Sequence, residues 1–146
     1  MPQLSFFAPG LPAPQGSKVY AVSKAGKAYG REANKGLPHW RKSVQESAEA
    51  ALMATDEWER DYDGAVRLEL VLIFPHIASG RYFKTSPPDL DKLIRGVCDA
   101  LTKARVYKDD ARVVSLLSEK VHGLRTGAHI QLRTIDTTIQ SERKAA

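Results

Sequence analysis

Residues 87–114 constrain the fold more than any other part of the chain. Leu90, Leu93, Ile94, Val97, Ala100, Leu101 and Ala104 recur at the spacing of one helical face, and Asp91, Lys92, Arg95, Asp99, Thr102 and Lys103 fall on the other. Such an apolar stripe must lie on a core. Pro87 and Pro88 cannot sit inside the helix, so its start is expected at about Asp89, with Asp91 just inside the first turn. The pattern stops after Ala104, and Asp109 and Asp110 precede a strand expected over 112–121. Two acidic pairs, Asp89/Asp91 and Asp109/Asp110, therefore flank one helix.

The residue pattern allows two readings of these pairs. Carboxylates in a first helical turn complement the helix dipole, at roughly 0.3–1 kcal/mol each, and Asp-Asp before a strand is ordinary turn chemistry. Alternatively, a hard divalent cation takes clustered carboxylate oxygens, and these side chains converge if the helix start and the strand start share one edge of a sheet. No Ser, Cys or His arrangement competes as a nucleophile.

The 146 residues fit one domain with a modest core, and 42% hydrophobic with 27% charged residues describes a soluble globular chain. A net charge of +5 suits an anionic partner such as nucleic acid, although many proteins of other function are as basic. No run is long and apolar enough to span a membrane, and no basic-then-apolar leader opens the chain. The single Cys98 excludes an internal disulfide. A cytoplasmic, reducing setting is the expectation.

In chain order, the pattern predicts an edge strand at 4–8, a loop at Pro12 and Pro14, and a small hairpin over 19–29 turning at 23–27. A helix follows from Pro38 to about residue 55, with Trp40, Val44, Ala48, Ala51 and Leu52 on its core face. The acidic stretch 56–63 reads as a solvated linker. Val66, Leu68, Leu70, Leu72 and Phe74 then alternate with Arg67 and Glu69 before Val71 and Ile73 fill the second face, the mark of a central strand. After the loop 76–86 and the central helix come the strands 112–121 and 128–135, joined by residues 122–127 whose glycines suit a hairpin turn, while 137–146 is expected to be a frayed, flexible tail. The fold class is α/β (α+β), one domain with a mixed sheet packed by two main helices.

Lys18, Lys24, Lys27, Arg31 and Lys35 place five positive charges against Glu32 alone, beside Tyr20 and Tyr29. The group is either solvated surface or a phosphate-contacting patch. Arg81, Tyr82 and Lys84 give the loop 76–86 charge and a stacking ring close to the acidic motif.

Three blocks in order, Asp89-Leu90-Asp91-Lys92-Leu93, Asp99-Ala100-Leu101-Thr102 and Val106-Tyr107-Lys108-Asp109-Asp110-Ala111-Arg112-Val113-Val114, closely resemble the signature of the RusA-type Holliday junction resolvases. The resemblance is strongest over 87–114, extends in architecture over 6–135, is weak in the N-terminal third and absent in the tail. It implies a homodimeric, phage-type endodeoxyribonuclease that binds branched DNA and resolves four-way junctions by paired nicks. It also implies Mg²⁺, with Mn²⁺ as a substitute ion, held by catalytic Asp89, Asp91 and Asp110, with Asp109 as a helper or turn residue. Lys18, Lys24, Lys27, Arg31, Arg81 and Lys84 would then contact DNA.

One departure matters. The family's catalytic lysine, four residues after the second aspartate, is Arg95 here, which keeps the charge but cannot exchange a proton. Arg95 contacts phosphate or forms a salt-bridge ladder with Asp91 and Asp99. Lys92, where the family often has Asn, adds a second cation. The substitution keeps open a catalytically silent junction-binding protein of the same fold. A small basic adaptor with purely structural acids is the third reading.

Overall fold

The computed structural model describes residues 1–16, 18–32 and 34–135, with only the backbone described for 18–21 and 28–32. In chain order the elements are β1 (Gln3–Pro9), β2 (Lys18–Val22), β3 (Ala28–Glu32), α1 (Leu37–Met53), β4 (Val66–Pro75), α2 (Leu90–Lys103), a 3-10 turn (Asp110–Arg112), β5 (Val113–Gly123) and β6 (Gly127–Thr134). The tail 137–146 lies outside the described residues.

The alternation of β4 places Val66, Leu68, Leu70, Leu72 and Phe74 on one buried face. That face meets the stripes of both helices, Trp40, Val44 and Ala48 from α1 and Leu93, Val97 and Leu101 from α2, in one core cluster. The sheet order is β1-β6-β4-β5, so β4 is internal, as its two-sided apolar end suggests, and β5 and β6 do not form the expected hairpin because β4 lies between them. Among the described residues its other face carries no helix, and Val71 and Ile73 there are half-buried. β1 pairs antiparallel with β6 and β6 antiparallel with β4, whereas β4 and β5 run parallel, joined by α2 as the crossover. The sheet is therefore mixed, and β2 and β3 form a separate antiparallel hairpin.

Two segments that the sequence reads as loop or linker do structural work. Within 56–63, Trp58 is buried and its indole N–H donates to the Val106 carbonyl at 2.8 Å, while Tyr62 bridges to Tyr107 just below the start of β4 and β5. Asp61 forms a forked pair with Arg105, whose hydrogen bonds hold its carboxyl below the usual range, and Asp63 pairs with Arg112. The charges are solvated as expected, but the aromatics anchor the strand edge. The second segment, 13–16, lies across α2: the Gln15 N–H donates to the Lys92 carbonyl at 2.9 Å, and Arg41 donates to both Gln15 (3.1 Å) and Asp99 (3.3 Å). Gly96 permits this approach, since a Cβ there would stand 3.4 Å from the Ala13 carbonyl oxygen and 3.4 Å from Leu37.

Trp58→Phe keeps the ring but leaves the Val106 carbonyl without its donor, at a cost of about 1–3 kcal/mol. A lowered urea midpoint is expected; an unchanged midpoint would contradict the anchoring role.

Candidate active site

Asp89 occupies the N-cap of α2 in extended conformation, yet its side chain makes no capping hydrogen bond. Its carboxylate is thus not spent on closing the helix. Asp91 lies in the first turn and is exposed. Beside the pair opens a cleft of about 400 Å³ lined by Pro14, Asn34, Pro87, Pro88, Asp89 and Lys92. The segment 13–16 forms one wall because it is tied to α2 through Gln15.

Arg95 lies one turn after Asp91, with its guanidinium against Gly16. Among the described residues it forms no ion pair with Asp91 or Asp99; Asp99 instead pairs with Arg41 (3.3 Å) and Lys103 (3.5 Å). The salt-bridge ladder is therefore not formed, because Arg41 reaches Asp99 from α1. Lys92 is half-buried and lines the same cleft as Asp89.

The second acidic pair divides by role. Asp109 N-caps the 3-10 turn, its carboxylate accepting from the Ala111 N–H at 2.9 Å, as a turn residue should. Asp110 is exposed in that turn. The chain leading to it packs back on α2, where the Tyr107 hydroxyl donates to the Cys98 carbonyl at 3.0 Å. Asp110 lies close enough to Cys98 for its charge to raise the thiol pKa. Cys98 is seven residues beyond Asp91, roughly 10 Å along the helix axis.

Topology explains the separation. A helix joining two parallel strands starts at their C-terminal edge and returns to their N-terminal edge, so Asp89 and Asp91 stand at one end of the unit and the turn into β5 at the other. The shared edge on which convergence depended is not present within one chain. Among the described residues, no group of three His, Cys, Asp or Glu side chains could hold a metal ion. The donor chemistry still fits a hard divalent cation in part: Asp89 and Asp91 are exposed hard oxygen donors two residues apart, and such an ion can be held by one or two carboxylates while keeping several waters.

Lys24 and Lys27 are exposed at the tip of the β2–β3 hairpin, whereas the side chains of Lys18 and Arg31 lie outside the description. In the loop, Arg81 is exposed and donates to Thr85 at 3.2 Å. Lys84 is turned inward, its ammonium 2.9 Å from the Ser86 hydroxyl and 5.1 Å from the centre of the Phe74 ring. Tyr82 and Phe83 form an exposed edge-to-face pair, so the loop presents two rings where the sequence suggested one. The loop is not free: it zips onto the outer edge of β5 through Lys84 N–H to the Lys120 carbonyl (3.0 Å) and His122 N–H to the Tyr82 carbonyl (2.7 Å).

Sequence reasoning missed Lys120, whose ammonium donates to the carbonyls of Ser86 (2.9 Å) and Pro88 (2.7 Å), immediately before Asp89. No local pattern marks it, because its register with the buried Leu72 and its carbonyl partners are set by the fold.

Burial pushes the Cys98 thiol up to about 11, so at pH 8 it is protonated and a poor nucleophile. The native protein should resist iodoacetamide at pH 8 while the urea-unfolded chain alkylates readily; equal rates would contradict this burial.

With this geometry in place, comparison with known proteins is specific. The family described as Endodeoxyribonuclease RusA matches residues 9–133. The chain is 38% identical over 53 residues to the crossover junction endodeoxyribonuclease rusA of Lactococcus phage r1t, a match covering 36% of this chain and 40% of that protein. The matched part thus spans less than half the length of that relative. Because the family match includes both acidic pairs, the crossover helix and all four sheet strands in whole or part, the chain belongs to the RusA endodeoxyribonuclease family.

Proposed function

We propose that this protein is a divalent-metal-dependent, structure-selective endonuclease that resolves four-way DNA junctions by paired nicks. The observation that carries the reading is the uncommitted carboxylate pair Asp89/Asp91 at the start of α2, with Lys92 at the same cleft and Arg95 on the next turn, inside the family match. Two carboxylates beside two cations suit a phosphodiester: the acids hold Mg²⁺ or Mn²⁺, and the cations take the anionic phosphate. When bound, the ion supplies an acidified water and neutralises charge on the phosphoryl oxygens. Arg95, permanently charged, binds and orients the phosphate and cannot relay a proton. Lys24 and Lys27 at the hairpin tip, with Arg81 on the loop, track the DNA backbone without reading sequence.

Asp110 stands apart from Asp89 and Asp91 within one chain, so its part in the reaction calls for a second copy. In a two-fold homodimer, Asp110 of one protomer would complete the acidic pair of the other, and two equivalent sites would face a two-fold junction. Asp91→Asn should abolish cleavage and leave junction binding within a few-fold; loss of binding with cleavage per bound complex unchanged would contradict the assigned role. Mixing Asp91→Asn with Asp110→Asn protein separates shared sites from self-contained ones. Sharing regenerates one intact site per mixed dimer and restores single nicks, whereas a mixture as inactive as its parents would exclude sharing.

The silent junction-binder remains the second reading because Arg95 stands in the family's lysine position. Arg95→Lys should leave cleavage within about tenfold of the parent if Arg95 acts by charge, which one tenfold step, about 1.4 kcal/mol of barrier, would register. A large gain from a near-inactive parent would favour the silent reading.

A further inference from the structure

We propose that Lys120 is a positioning residue for this reaction, fixing the backbone of Ser86–Pro88 and thereby the place of the Asp89 carboxylate at the cleft. The inference deepens the nuclease reading and rests on it.

β5 and β4 are in register as Leu116 with Leu68, Ser118 with Leu70, Lys120 with Leu72 and His122 with Phe74. Along β4 this helix-bearing face is apolar throughout; along β5 it turns polar at Ser118, where the strand approaches the loop that leads to Asp89. Lys120 is half-buried beside the fully buried Leu72, within reach of the loop's carbonyls. Its ammonium donates to two carbonyls, Ser86 at 2.9 Å and Pro88 at 2.7 Å. The ammonium is therefore engaged with the loop backbone.

The recipient segment needs an external tie. Pro87 and Pro88 have no N–H groups, so this part of the loop cannot pair as a strand in the way residues 82–84 pair with the edge of β5. Lys120 supplies a charged donor where backbone donors are missing, and charge-assisted hydrogen bonds are stronger than neutral ones. The tie ends one residue before Asp89, whose own carbonyl accepts the Leu93 N–H at 3.2 Å and so opens α2. Because the Asp89 side chain has no hydrogen bond of its own to the helix, the backbone that enters it sets where its oxygens stand. Lys120 thus does for Asp89 what an outer partner does for a metal-ligating group.

The test compares Lys120→Met, which keeps much of the stem and removes the donors, with Lys120→Arg, which restores charged donors. Hydrogen exchange at the Leu93 amide reports the tie without any metal or DNA, and cleavage per bound junction across a Mg²⁺ titration reports its consequence. Lys120→Met is expected to exchange Leu93 faster, to bind junction DNA as the parent does, and to cleave about 10- to 100-fold more slowly with a higher Mg²⁺ requirement. Lys120→Arg should recover most of that loss. An active parent matched by Lys120→Met in cleavage, or a slow Lys120→Met whose Leu93 exchange is unchanged, would overturn the positioning role alone. If Lys120→Met does not fold, a folded Lys120→Arg with parental exchange and cleavage supports the role, and one with parental exchange but lost cleavage overturns it. A parent that cleaves no junction in Mg²⁺ overturns the nuclease reading itself.

Discussion

Burial of one face of α2 against β4 is the contact on which the rest depends. Leu93, Val97, Ala100 and Leu101 are fully buried, and so are their neighbours Leu68 and Leu72 on the strand. At about 1.5–3 kcal/mol for each large apolar side chain removed from water, this seam is a major share of what holds the domain together. It also orients chemistry. With its apolar face committed, α2 must turn Asp91 and Arg95 outward, and the crossover between parallel strands sets the helix start at the edge where the 76–86 loop and the hairpin-bearing N-terminal segment arrive.

The second consequence of that crossover is the distance between the two acidic groups. The same connection that places Asp89 and Asp91 at the strands' C-terminal edge delivers Asp110 to the opposite edge. A single chain thus holds its two acidic groups apart, and the proposal of a two-fold partner follows from this arrangement together with the charge chemistry of a divalent cation. Around the pair, the structure supplies walls and ties: the segment 13–16 through Gln15, the loop through Lys120, and Arg41 bridging α1 to Asp99.

What could be read from the sequence was what repeats. The period of α2, the alternation of β4 and the core placement of Trp40 follow from apolar spacing, and the structure has each of them; the turn after β5 instead carries the chain across β4, so β5 and β6 flank that strand and do not pair as a hairpin. The acidic motif was legible for the same local reason, since Asp89 and Asp91 are adjacent to a helix start marked by two prolines. Trp58 was not, because one aromatic in a charged run carries no period and its hydrogen-bond acceptor, Val106, lies 48 residues away. Lys120 was hidden likewise: its carbonyl partners come from a loop 32 and 34 residues earlier. The separation of Asp110 from Asp91 depended on whether β5 runs parallel or antiparallel to β4, which strand patterning does not encode. Residue types and local spacing therefore revealed the chemistry available, while its assembly was set by topology.

The most direct measurement is cleavage of a labelled synthetic four-way junction beside a linear duplex of matched sequence, each with Mg²⁺ and with EDTA. The account predicts paired nicks in the junction alone, in Mg²⁺ alone. Equal cutting of the duplex, or cutting that persists in EDTA, would contradict it, and so would junction binding without any cleavage.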